Sequence, residues 1–197
     1  MNEAKKPTLD YPVHELVAAR WSPSIWADRP VGHDDLRAVF EAARWAASAF
    51  NEQPWRYLVA TRDEPEEFER LLSCLVEPNR KWARHAPVLA LAVVSLNHAR
   101  NGQPNRTATH DLGPASANLT AEATALGLAV HQMGGILPER AREIYAIPEG
   151  FEAFTGLALG YAGAPVGEFA DRDLAPRTRR PQSEFVFTGG FGRPFGS

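Results

Sequence analysis

The chain has 197 residues, 44% of them apolar and 23% charged, with a formal net charge of −3. That length can bury one substantial core. The charge balance gives no general basic footprint for nucleic acid, and the single Cys74 excludes an internal disulfide framework or a cysteine metal cluster. The opening "MNEAKKPTLDYPVHEL" has no apolar signal region, and the longest apolar run, "APVLALAVVSL" at 86–96, is too short to span a bilayer. A cytoplasmic, non-membrane protein is expected.

In chain order, residues 33–49 place Leu36, Val39, Phe40, Ala43, Ala46 and Ala47 at helical spacing, with Asp34 and Asp35 at the positive end. Pro54 drives Gln53 out of the α region, so this helix ends by about Phe50 and "WRYLVA" continues as a strand. A second helix is predicted over 64–76, with Pro65 in its first turn, followed by a polar bridge holding Asn79, Arg80 and Lys81. The strand at 87–95 is apolar throughout and belongs in the middle of a sheet.

Residues 97–107, rich in Asn, Gly and Pro, form a loop, and a long small-residue helix over 108–126 ends at Gly127. A short strand "LAVHQM" runs into Gly134 and Gly135, then a Pro-started helix at 138–146 and a strand "FTGLALGYAG". The last 35 residues are rich in Pro, Gly and Arg and cannot form a core alone. Helices and strands mix without regular βαβ alternation, which predicts an α+β fold with a partly antiparallel sheet and no independent second domain.

No nucleophile elbow, no His-Glu metal motif and no phosphate-binding glycine loop is present, and the six histidines are scattered without ligand spacing. Hydrogen-bonding and small residues gather instead at "RWSPS" (20–24), "SAFNEQPW" (48–55), "SANL" (116–119) and "RTRRP" (177–181). Alone, each has a plain reading: a loop arginine and a cap, a helix C-cap at Asn51, packing at Asn118, a turn at Gly134-Gly135, a solvated basic arm.

Together, and with the His-Gln-Met-x-Gly turn and the Gly-Tyr strand in the same order, these motifs resemble the nitroreductase family of flavin enzymes from about Leu16 to Phe187. The resemblance implies a nitroreductase-like α+β fold: a central, mostly antiparallel sheet flanked by helices, one domain over 1–197, with 163–197 as a C-terminal arm extending onto the partner subunit of a homodimer. It implies FMN as cofactor, NADH or NADPH as co-substrate, and flat acceptors such as nitroaromatics and quinones. No side chain of the chain is then catalytic, no metal is needed, and neither nucleic acid nor membrane is a partner. A flavin-sequestering dimer without reductase activity is the alternative.

FMN requires cations at its phosphate and neutral polar groups along its ring edge. By resemblance, Arg20 and Ser22 hold the phosphate from one side and Arg177 and Arg179 from the other, with Trp21, Ser24 and Met133 in the same site. Ser48, Asn51 and Gln53 reach into the partner's cofactor site, and Gly134 and Gly135 place backbone N–H groups beside N5 and O4. Asn79 and Lys81 lie where the family reaches the pyrimidine edge. Where the family has Lys or Arg two residues after the first serine, this chain has Ser24. A cation about 4 Å from N1 contributes at most roughly 4 kcal/mol at an effective dielectric of about 20, on the order of 90 mV for a two-electron couple. Ser24 thus predicts a lower flavin potential unless Lys81 or Arg80 supplies that charge.

Overall fold

Residues 3–196 are described by a computed structural model; Met1, Asn2 and Ser197, at the ends of the predicted domain and arm, lie outside them. Helix α1 spans Glu15–Ala19 and α2 spans His33–Arg44. Strand β1 spans Trp55–Thr61, and α3 and α4 span Pro65–Leu72 and Glu77–Ala83. Strand β2 (Val88–Ser95), helix α5 (Ala108–Ala125), strand β3 (Ala129–Met133), helix α6 (Pro138–Tyr145), strand β4 (Phe151–Gly160) and helix α7 (Ala170–Leu174) follow.

The sheet has the order β1-β2-β4-β3 and every pairing is antiparallel. Its apolar strand β2 lies inside, as the continuous hydrophobic run predicts, and successive side chains alternate between two cores. Leu89, Leu91 and Val93 meet Leu71, Leu72, Trp82 and Ala141 from α3, α4 and α6. Val88, Ala90, Ala92 and Val94 meet Val39 and Ala43 of α2 and Leu112, Ala115, Leu119 and Ala123 of α5. The result is an α+β fold with helices on both faces of an antiparallel sheet.

Three boundaries differ from the periodicity reading. Helix α2 stops at Arg44, because residues 46–53 instead form a separate junction with one 3-10 turn at Ala49–Asn51. The expected polar bridge is helix α4: Pro78 suits a first turn, and Trp82 and Ala83 give it a fully buried face. The arm contains α7, anchored by a buried Asp173. Gly127 ends α5 as expected, adopting φ +75° just beyond the helix.

Candidate functional site at the two sheet edges

The first motif follows α1, whose last turn delivers Arg20. Arg177 reaches back from the arm, its Nη1 donating to the carbonyl of Arg20 and its Nη2 to that of Ala18 at 2.5 Å. Arg20 Nη1 lies 3.3 Å from Ser22 Oγ. Burial first, then the charge of Arg179, lowers the Arg20 guanidinium below the ordinary arginine range. Burial, then Arg20 and Arg179, does the same to Arg177. Among the described residues no ion pair joins an Asp or Glu to Arg20, Arg177 or Arg179. The Nε of Arg177 is buried without an acceptor. Three arginines and one unpartnered donor thus concentrate positive charge at one place.

Arg20 lines three cavities. One, of about 330 Å³, runs between Tyr11, Arg177, Arg179 and Phe185. Another, of about 480 Å³, opens between α1, α5 and β3, lined by Leu16, Ser22, Asn118 and Gln132. A third, of about 600 Å³, has Trp21, Gly127 and Tyr161 in its wall. Asn118 is exposed and faces a cavity, so it does not serve helix packing as its small neighbours suggested.

Several residues outside the motifs hold this region. The carboxylate of Asp173 accepts the backbone N–H groups of Ser24 and Ile25, each at 3.0 Å, tying the arm to the first motif. Lys5 Nζ donates to the carbonyls of Arg172 (2.9 Å) and Ala175 (2.6 Å). His131 stacks on Trp82 with centroids 4.2 Å apart, its Nδ1 2.7 Å from the Pro23 carbonyl and its Nε2 3.3 Å from Arg172 Nη2. These partners set the tautomer: Nδ1–H donates and Nε2 accepts.

Beyond β3, the Gly135 carbonyl accepts from Asn79 Nδ2 at 2.9 Å and from the Val76 N–H at 3.1 Å. A Cβ on Gly135 would lie 2.5 Å from Asn79 Nδ2, so this position requires glycine. Two assigned side chains stand elsewhere. Met133 is buried in the core against Gly156, because β3 alternation turns it inward. Ser24 is 1% exposed and held by Asp173, so its side chain is enclosed and an arginine cannot replace it without displacing the core. Lys81 is exposed and pairs with Glu77 at 3.4 Å.

The 48–53 junction is built differently. Phe50, Asn51 and Gln53 have φ of 55°, 57° and 46°, a left-handed conformation costing non-glycine residues about 1–3 kcal/mol each. Hydrogen bonds offset it. Ala49 N–H donates to Asp111 Oδ2 at 3.1 Å and Gln53 N–H to Ser48 Oγ at 3.0 Å. Glu52, its side chain 6% exposed, accepts from Ala99 N–H at 2.7 Å. The side-chain amide of Gln53 donates to the Asn51 carbonyl at 3.1 Å.

The junction feeds β1, whereas Gln132 lies on β3, the glycine pair follows it, and Arg20 faces it from the end of α1 across a shared cavity. Strands β1 and β3 are opposite edges of the sheet, roughly 14 Å apart at three inter-strand spacings. The structure thus brings the arginines and Ser22 together, brings Asn79 to Gly135, and leaves Ser48, Asn51 and Gln53 remote from both.

The nitroreductase family model matches residues 17–161, and the chain belongs to that family. A crystal structure titled as an oxidoreductase containing FMN is 32% identical, with a TM-score of 0.89, over 98% of this chain and 100% of that one. An uncharacterized 15.4 kDa protein of Mycolicibacterium smegmatis is 34% identical over 71% of this chain and 99% of its own length. The major NAD(P)H-flavin oxidoreductase of Aliivibrio fischeri is 24% identical over 76% of this chain and 86% of its own. Among the described residues no helix is long and apolar enough to cross a membrane, and no group of three or more His, Cys, Asp or Glu is placed to hold a metal.

Proposed function

We propose that the protein is a cytoplasmic, FMN-dependent NAD(P)H oxidoreductase that works as a homodimer. One domain carries the fold, and residues 163–197 form an arm that extends onto the partner. The donor set suits FMN: three arginines with no ion-paired carboxylate among the described residues match a dianionic phosphate, and the adjoining cavity of about 480 Å³ offers both apolar walls (Leu16, Val17, Ala121, Val130) and neutral polar groups (Asn118, Gln132) to a flat, polar-edged ring. Names of similar proteins, one containing FMN and one acting on NAD(P)H and flavin, support the same reading.

Arg20, Ser22, Arg177 and Arg179 grip the phosphate, with Trp21 in the adjoining wall. Gly134 and Gly135 offer backbone N–H groups, neither of which finds an acceptor among the described residues, to the ring edge. Asn79 holds that turn in place. Ser48, Asn51 and Gln53 of a second copy complete the site, since within one chain they sit on the far edge of the sheet. When bound, FMN supplies the hydride chemistry, taking electrons from NADH or NADPH and passing them, in ping-pong order, to nitroaromatic or quinone acceptors. Ser24 brings no charge to the pyrimidine edge and Lys81 is engaged by Glu77, so the flavin potential is low for the family unless Arg80, whose Nε is buried without a partner, supplies that charge.

The carrying observation is the arginine cluster lacking a counter-ion. Purified protein is expected to be yellow, to have the mass of two chains by light scattering, and to bleach anaerobically with NADH or NADPH. Bleached protein should regain its colour with a quinone. A monomer, or colourless protein that takes up no added FMN, overturns the proposal; a yellow dimer that does not bleach leaves binding without reductase activity.

A further inference from the structure

The junction displays an aromatic ring that serves no packing purpose. Phe50 is 73% exposed although its backbone is held in a conformation bulky residues avoid. Arg100, from the 97–107 loop, places its guanidinium 4.1 Å from the ring centroid, and His98 meets the ring edge at 6.1 Å. One buried carboxylate, two residues along the junction from Phe50, lies against the two loop side chains. Glu52 accepts from Ala99 N–H and lies 3.4 Å from Arg100 Nε and 3.5 Å from His98 Nδ1. Asp111 and Ser48 tether the junction on either side of the ring.

Glu52 engages Arg100 through Nε, and the terminal amino groups of that guanidinium have no partner among the described residues. The guanidinium lies over the Phe50 ring, 4.1 Å from its centroid, so that ring and donors form one stacked unit. An aromatic carboxylate fits that unit: its two oxygens accept from the terminal amino groups in parallel, and its ring extends past the exposed part of Phe50.

We infer that Phe50 and Arg100 select the electron acceptor, favouring flat aromatics that carry a carboxylate. This rests on the proposed function, in which the 48–53 junction of one copy borders the cofactor of the other. Arg100 supplies charge selection, Phe50 supplies stacking common to all flat ligands, and Glu52 is a positioning residue for both.

The test is equilibrium binding to the oxidised holoprotein, read as perturbation of the flavin absorbance band, with 4-nitrobenzoate and its neutral analogue 4-nitrobenzamide. Wild type is expected to bind the benzoate about fivefold more tightly, a size typical of one partly exposed charge contact. Arg100→Gln should bring the two affinities to within about twofold, Arg100→Lys should keep the preference in part, and Phe50→Leu should weaken both ligands equally. Equal affinities in wild type, or an unchanged ratio in Arg100→Gln with a normal flavin spectrum, overturn the inference. Wild-type protein without a flavin band defeats instead the functional reading beneath it.

Discussion

The two edges of the sheet are polar in opposite ways. At the β3 edge, Arg20, Arg177 and Arg179 crowd together with no ion-paired carboxylate among the described residues. At the β1 edge, Asp111 and Glu52 each hold several donors, and the strained backbone between them is tied at both ends. One edge gathers like charges, and the other ties a strained backbone down through buried carboxylates. Under the proposed function the first binds and the second supplies a preformed shape.

The largest effect that sharpens this contrast is expected from Arg20→Met. Loss of its charge-assisted hydrogen bonds should weaken FMN binding about a hundredfold, measured by quenching of FMN fluorescence. The apoprotein should melt no lower, since the change relieves repulsion from Arg179. A lowered apoprotein melting temperature breaks the comparison, because Arg20 would then be structural.

Asp111→Ala, at the opposite edge, should cost about 2–3 kcal/mol in urea unfolding, since the N–H of Ala49 and the hydroxyl of Thr107 lose a charged acceptor. Gly135→Ala is next, at about 1–3 kcal/mol, because the added methyl meets Asn79 and Val76. Gly134→Ala, with nothing within 4 Å of the new carbon, should stay within about 0.5 kcal/mol. Equal costs for the two glycines would refute the close approach at Gly135.

A gain of about 1 kcal/mol is expected from Phe50→Gly in the apoprotein, as glycine relieves the left-handed strain and the exposed ring contributes little packing. The smallest effect concerns pH. Burial first, opposed by the Pro23 carbonyl and reinforced by Arg172, lowers the His131 pKa in the folded state. The unfolded chain therefore binds the proton more readily, and stability is present above about pH 6.5 and falls as pH drops through that value toward the folded pKa. His131→Gln should flatten the melting temperature between pH 7 and 5; an unchanged slope would remove His131 from the account.

Much of this was legible in the residues. The all-apolar run at 88–94 specified a central strand, because only a strand buried on both faces tolerates no polar position. Pro54, Gly127 and Pro138 punctuated the elements as their backbone chemistry requires. The family resemblance implied a common place for Arg20, Arg177 and Arg179, and the structure brings them side by side. Helix α4 was missed because its seven residues are too few for a periodic signal, and Ser24 and Met133 were assigned without knowledge of which way they face.

The sequence by itself determined local conformation and chemical type, since proline, glycine, apolar period and charge act over a few residues. Only the tertiary structure decided that Asp173 clamps the first motif, that Glu52 joins two loops, and that the junction and the arginines occupy opposite edges of one sheet. Those outcomes depend on strand order and on contacts between residues up to 170 positions apart, which no local preference encodes.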